Sequence, residues 1–542
     1  MYRTRSGDPQ YRASSTNVTR RGLLQTVGAS AVGAAVLACA PTPPAVATTP
    51  AKATPRRGGT LTYANSADVV GMDPAYVGGT VSQIPMFMIY EQLVSYTPAI
   101  KFRPALATSW EAKDKFWPFQ LRRGATFHDG TPFNAGAVKA HFDRLLGPER
   151  PTGRSQYVPI IDAIDVLDTN TIRFTTKNVE AFFLELIASD ATGCIESPEA
   201  VKKYGKDITR NPVGTGPFRF VEWVKDDRIV VDRYDGYWGD KAYLDRVVIR
   251  PVPEAEARAI GIESGDLQLA IRMNPEQLDR LRKNPRVALS EKQTGRTLFM
   301  GMANLRKPFS DIRVREALNY AIDKESIAKN LYQGQAEALP GVMPRGSSGY
   351  AEVTGFPYDP AKAKRLLADA GYPNGFATKL IGPKGTYVKD FELQQAVQQQ
   401  LAQVGVQVKL ETLEFAKWLE QLALDPRQSP LEMWQDAGGG VNPVSAINSR
   451  YGCNRFRPTD GFNTAGSCFP KVDELTAEAA GTIDPVRREA LLKQAQELVT
   501  QGAPSLWLIQ TKETAAMSAR LHDPVHLWST VLTVDEHTWL EA

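Results

Sequence analysis

Hydrophobic positions recur with a period of two in short stretches and near 3.6 in longer ones, and the two patterns interleave along the chain. Phe119 and Leu121 alternate with polar neighbours as a half-buried strand, Arg123-Gly124 turns the chain, and Phe127 leads into a second turn, His128-Asp129-Gly130-Thr131. Asn134 then caps a helix with Val138, Phe142, Leu145 and Leu146 on one face. The stretch is expected to run strand, turn, strand, turn, helix. Before it, Gly58 to Ala64 reads as a first strand with Leu61 and Tyr63 on one face, and Asp73 to Thr80 as a polar, glycine-rich loop. A helix-like run through Met86, Phe87 and Tyr90 follows that loop, and Ile164 to Phe174 alternates as hairpin strands do.

Longer helical periods mark the second half. Leu298 to Asn304 reads as a strand, and Ser310 or Asp311 caps a helix with Val314, Ala317, Leu318, Ala321 and Ile322 on its apolar face. Asp359-Pro360 opens a helix that Gly371 closes, and Asp484-Pro485 opens one that Gly502 closes. Phe391 to Val404 reads as a helix, Val406, Val408 and Leu410 as the next strand, and Ser505 to Ile509 as an apolar strand. Helices and strands alternate, so the class is α/β.

With 542 residues the chain exceeds one ordinary core, and two or three lobes are expected. Residues 1–38 hold five arginines against Asp8, which accounts for the whole formal charge of +4. The remainder is balanced and has no Lys/Arg block, so no electrostatic ground exists for a nucleic-acid partner. Residues 1–38 read as an export signal, because Thr19-Arg20-Arg21-Gly22-Leu23-Leu24 resembles a twin-arginine motif. The uncharged run from Leu23 to Ala38 is too short and too rich in Gly and Ala for a membrane span. Val36-Leu37-Ala38-Cys39 resembles a lipobox, which makes Cys39 the expected lipidated N-terminus and the membrane a partner through that anchor. Cleavage after Ala45-Val46-Ala47 is the alternative. Residues 39–57 have the composition of a disordered linker.

Pro104 to Trp110 and Phe119 to Leu146 together resemble the signature of the peptide-type (family 5) solute-binding proteins of bacterial ABC importers. Asn211 to Phe218 and Arg233 to Gly239 are similar to the family's second marker, read here as a structural turn with no helix start behind it to cradle a phosphate. The resemblance runs from about Gly58 to the C-terminus. It implies a two-lobed periplasmic-binding-protein-like fold with an extra subdomain and hinge strands between the lobes. On that reading residues 58–297 form lobe I, including a subdomain at 101–205, residues 298–505 form lobe II, and 506–542 return to lobe I.

The residues offer no catalytic motif. Five histidines form no HExxH and no Cys/His cluster, the His522 and His526 pair is interrupted by Asp523-Pro524, and no nucleophile elbow, P-loop or dinucleotide fingerprint occurs. No metal, no cofactor and no catalytic residue is therefore expected. Cys453 and Cys468 are close in sequence, and family members that bind dipeptides often carry a bonded pair there; two unpaired thiols are the alternative. Cys194 is expected to be buried and inert.

The resemblance places the grip on a peptide in the second lobe. Leu431 to Pro443 matches the segment that carries the family's acidic anchor, yet aligning Asn442-Pro443 with the usual Asp-Pro puts Gly439 at the anchor position. Asp436 is the candidate substitute, and Trp434 the candidate pocket wall. Lys384 falls where dipeptide-binding relatives place an Arg for the substrate carboxylate, and as a lysine it lacks the bidentate fork. Tyr76 and Thr80 lie in a loop that borders the cleft in the family. The function implied is capture of a dipeptide or oligopeptide by a monomeric extracytoplasmic protein and its delivery to importer permease subunits. A nickel chelate, glutathione or a sugar as solute, or a secreted hydrolase, are the alternatives.

Overall fold

Two long antiparallel strands, Val287–Met302 and Ser505–Ser518, run side by side from the pair Val287 and Ser518 to the pair Gly301 and Ser505. At one end Leu269–Ile271 joins the second of them, followed by Thr60–Asn65 and Arg246–Pro251, all three parallel to one another, and then by antiparallel Arg228–Arg233 and Phe218–Val224. At the other end Met433–Gly438 joins the first, followed by parallel Ala377–Pro383 and Gln407–Leu413. With Ala336–Ala338 they make a single 11-stranded sheet shared by both lobes. The computed structural model describes residues 54–76, 79–97, 101–148, 157–188, 191–439, 442–453, 455, 462–527 and 531–541. The expected export signal and Cys39 lie outside the described residues.

Each part of the sheet is covered by its own core. Leu61, Tyr63, Val247, Ile249 and Leu269 are buried on the first lobe's side, and Leu298, Met300, Leu380, Val397 and Leu508 on the second's. A separate four-stranded sheet of Ala107–Trp110, Phe116–Leu121, Thr171–Thr176 and Ile161–Asp168 packs on helix Ala135–Leu146, where Phe142 meets Phe174 edge-on at 4.9 Å. The capping residues act as their chemistry requires. Asn134 accepts from the Ala137 N–H at 3.0 Å, Asp359 from Lys362 at 2.8 Å and Asp484 from Arg487 at 2.7 Å. Around Phe127 the expected second strand shrinks to one bridge between Thr126 and Pro132.

The two sequence markers dock on each other. His128 Nε2 donates to the Gly216 carbonyl at 2.9 Å, the His128 N–H donates to Gly214 at 2.9 Å, and Asp129 accepts from Ser197 Oγ at 2.6 Å. Gly214 is required by contact, because a Cβ there would stand 2.1 Å from the Ile89 carbonyl. Burial pushes His128 down to about 4, so the ring is neutral and structural.

Both crossing strands exceed their sequence outline. The first begins at Val287 rather than Leu298, and the second continues past Ile509 to Ser518. The added stretches contain polar runs, residues 290–296 and 510–514, which periodicity reads as loop, but cross-strand pairing holds them in the sheet.

Away from these strands, the four-stranded region touches the second lobe at another place. The Ala181 N–H donates to the Ala480 carbonyl at 2.7 Å, and Phe182 is buried among Ile447, Val472 and Leu475. Arg488 lies over its ring at 5.3 Å. Glu180 and Glu185 flank this contact, and burial pushes each up to about 7. No helix among the described residues is long and apolar enough to cross a membrane.

Candidate ligand cleft

The parallel strands Thr60–Asn65 and Leu269–Ile271 end against the crossing strands, where an α/β sheet leaves a crevice beyond its strand termini. Ser66 and Arg272 follow those termini. Arg272 adopts φ 55, an uncommon backbone for a residue with a side chain, held by its N–H to the Thr514 carbonyl at 2.7 Å. Its guanidinium donates to Ser66 Oγ at 2.9 Å. Arg296 lies on the first crossing strand and donates to Thr80 Oγ1 at 2.9 Å, at the start of helix Thr80–Ile89. Tyr387 comes from the loop after Ala377–Pro383, and its ring centre is 5.9 Å from the Arg296 guanidinium carbon.

Glu513 completes this group from the second crossing strand. It is 6% exposed, its Oε1 has no hydrogen-bond partner, and no ion pair closes on it among the described residues. Arg272, Arg296, Thr386, Tyr387 and Glu513 line a partly open cavity of about 20 Å³. That is room for about one water and not for a solute. Burial raises the Glu513 carboxyl, against which the charges of Arg272 and Arg296 pull it down. Burial likewise lowers Arg272, and Glu513 opposes that shift. Tyr387 is pushed up to about 12 by burial and then by Asp436.

Of the residues singled out from sequence, the cavity gathers few. Thr80 reaches it through Arg296. Asp436 stands behind it, accepting from Arg450 Nη1 at 2.9 Å while Arg450 Nη2 donates to the Ala437 carbonyl at 2.7 Å. Gly439, at φ 139, packs on the first crossing strand, where a Cβ would lie 2.5 Å from the Gly295 carbonyl. Trp434, expected as a pocket wall, is instead a core residue, 2% exposed and pressed on Gly301. Lys384 is exposed, with its ammonium 5.2 Å from the Phe391 ring, because the loop turns after it and presents Thr386 and Tyr387 inward. Asn442 caps helix Pro443–Tyr451 through the Ser445 N–H at 2.9 Å, and Tyr76 lies beside Arg144 in the first lobe. Cys453 and Cys468 are bonded to each other across 15 positions, a closure worth about 3 kcal/mol on the chain-entropy estimate, and Cys194 is buried. Arg272, Arg296, Tyr387 and Glu513 were not visible as site residues in the sequence. A charged residue directly after the apolar Leu269-Ala270-Ile271, and a Glu inside a 14-residue strand, are the signals that mark them.

Two lobes on one sheet, with paired crossing strands passing a polar cavity, are the architecture of a two-lobed solute-binding protein. The chain belongs to the bacterial extracellular solute-binding proteins, family 5, whose model matches residues 101–455. Such proteins bind small solutes outside the cytoplasm and work with ABC importer permeases. The chain is 33% identical over 458 residues to the glutathione-binding protein GsiB of Escherichia coli (strain K12), covering 83% of this chain and 88% of that one. Among solved structures it is similar to the periplasmic binding protein DppA from Helicobacter pylori in complex with the peptide STSA, at 28% identity and TM-score 0.80, covering 90% and 99% of the two chains. It is also similar to MoaA from A. tumefacien R10 in complex with mannopinic acid, at 25% identity and TM-score 0.80, covering 89% and 99%. These relatives are binding proteins and not enzymes.

Proposed function

We propose that this protein captures a short peptide carrying more than one carboxylate, of the glutathione type, and delivers it to an importer permease. The observation that carries the reading is the charge lining the cavity, where Arg272 and Arg296 face Glu513 as the one acid among the described lining residues. Two guanidiniums beside one carboxylate leave the lining net positive, which favours an anionic solute. Arginine's planar fork suits a carboxylate. The likeness to a glutathione-binding relative supports the same class. Closure follows because the solute touches the crossing strands and both lobes together only in the closed state. We place the pivot where residues 294–296 pass Thr511. We further propose that the mature protein is a monomer tethered through lipidated Cys39.

A thermal-shift panel of reduced glutathione, neutral dipeptides, a nickel-histidine chelate and a sugar tests the reading, since a ligand that binds only the native state raises the midpoint. Glutathione is expected to give the largest rise and to be recovered chemically unchanged. A rise with the sugar and none with any carboxylate-bearing peptide overturns it, and turnover of the peptide makes the protein a hydrolase instead.

A further inference from the structure

We propose that residues 385–389 form a sensing loop, in which Tyr387 meets the solute, Lys389 clasps the first lobe through Glu276, and Asp390 is the positioning residue that keeps the two in register. This inference rests on the anionic-peptide reading and names the chain segment that joins solute contact to closure. The loop belongs to the second lobe. Tyr387 and Val388 pack against the core that holds Leu393 and Val397, and Tyr332 Oη donates to the Val388 carbonyl at 2.9 Å. Lys389 reaches away from that core. Its ammonium stands 2.8 Å from the Glu276 carboxylate and 3.6 Å from that of Glu392. Glu276 sits on helix Pro275–Leu281, whose Leu278 and Leu281 are buried with Ala64 and Ala270 of the first lobe's strands. The shorter of the two contacts therefore spans the lobes, while Thr386 and Tyr387 of the same loop line the cavity.

The backbone of the loop is built for this double duty. Lys389 adopts φ 57, an uncommon conformation for a residue with a side chain, at the position before helix Asp390–Ala402 where a capping residue ordinarily stands. A lysine side chain has no acceptor with which to cap. Asp390 supplies the acceptors instead and turns them back on the loop. Its Oδ1 accepts from the Gly385 N–H at 3.0 Å and the Phe391 N–H at 2.8 Å, and its Oδ2 from Thr386 at 2.7 Å and Tyr387 at 3.0 Å. That carboxylate is buried, so four amides in place of water fix the shape of the loop. Tyr387 and Lys389 consequently move as one piece. A solute that presses on Tyr387 sets where the ammonium of Lys389 stands, and the pair with Glu276 closes when the first lobe comes up to meet it. Glu276 is half exposed, so the clasp adds a small bias and not a lock. A small bias suffices where the solute itself supplies most of the difference between open and closed states.

Calorimetric titration of the full chain with reduced glutathione, arranged as two double-variant cycles, tests this. Lys389→Met and Glu276→Gln are each expected to lower affinity about threefold, and the double variant no further, because one pair is lost in all three. The second cycle adds Asp390→Asn, whose amide nitrogen cannot accept from the two N–H groups it faces. With the loop released in this way, Lys389→Met is expected to lower affinity by less than about 1.5-fold. A residue that served folding alone would leave the threefold cost of Lys389→Met unchanged. The first cycle does not involve Asp390, so it decides the clasp even where Asp390→Asn does not fold. Losses that multiply to about ninefold in the double variant, or no loss in either single variant, overturn the clasp and leave the anionic-peptide reading standing. An undiminished loss from Lys389→Met beside Asp390→Asn overturns the positioning role of Asp390. Absence of binding of glutathione by the wild type overturns the anionic-peptide reading and the inference with it.

Discussion

Two buried clusters of ionisable residues sit in this molecule, and they differ in completeness. In the first lobe Arg144 donates to Asp73 at 2.7 Å and to Glu196 at 3.1 Å, while His141 contacts Glu196 through Nδ1 and the Thr192 carbonyl through Nε2 at 2.9 Å. Asp73, Glu196 and His141 are each almost wholly buried, and every charge among them has its counterpart. Burial alone would raise Glu196, but His141 and Arg144 together hold it below the usual carboxylate range. At the cleft, Arg272, Arg296 and Glu513 use the same residue types, yet the carboxylate and guanidiniums remain apart. A complete cluster fastens helix Ala135–Leu146 to the loop after the first strand. An incomplete one leaves a role for something from outside.

The largest test removes a member of the complete cluster. Arg144→Met strands buried Asp73 and removes one of the two cationic partners of Glu196, and is expected to destabilise the protein by about 3–5 kcal/mol, read by chemical denaturation with and without solute. Arg272→Ala is expected to do the reverse, changing stability by less than about 1 kcal/mol while lowering glutathione affinity about 30- to 100-fold, which is about 2–3 kcal/mol. Equal stability losses in both variants would erase the distinction. Gly439→Asp restores an acid at the family's anchor position, and its strained backbone and blocked Cβ are expected to cost about 1–3 kcal/mol without improving affinity for α-linked dipeptides.

The smallest effect sharpens the comparison at the rim, where Glu180 and Glu185 flank Phe182. Their carboxyls, held up at about 7 by burial in the closed state, return toward 4.5 when opening hydrates them. The closed form thus binds more protons, so closure is favoured at low pH and weakens as pH rises from about 4.5 to about 7, then levels off. Solute affinity is expected to be higher at pH 5.5 than at pH 7.5. Glu180→Gln with Glu185→Gln should flatten that slope, and an unchanged slope would move its origin elsewhere.

The scaffold was more legible in the sequence than the cleft. Asn134, Asp359 and Asp484 announce their helices because capping is a local transaction between a side chain and amides two or three residues on. The disulfide partners stood near each other in the chain. The cleft depends on neighbours far apart in sequence. Glu513 meets Arg272 and Arg296 only after two strands separated by some two hundred residues have paired, and their polar halves imitate loop. Trp434 shows the converse, since an aromatic beside glycines reads as a pocket wall until Gly301 is seen to receive it. Lys384 stands exposed beside Phe391 for a similar reason, because a turn after Pro383 decides which side chains of its loop face inward.

The pairing of the crossing strands jumps from Gln293 with Lys512 to Thr297 with Gln510, leaving three residues, 294–296, opposite Thr511 alone. Three residues span up to about 10 Å when extended, against about 3.5 Å for one. At this point the first strand carries two residues more than its partner, whereas between Leu298 and Phe299 the extra residue, Leu508, belongs to the second strand. Side-chain stitches hold the bulge at 294–296, from Gln510 Nε2 to the Thr294 carbonyl at 2.7 Å and from Thr294 Oγ1 to the Thr511 carbonyl at 3.0 Å. Arg296 rides on this bulge, so the residue that faces the cavity and the irregular stretch of the crossing strand are one feature, and contact at the one is contact at the other.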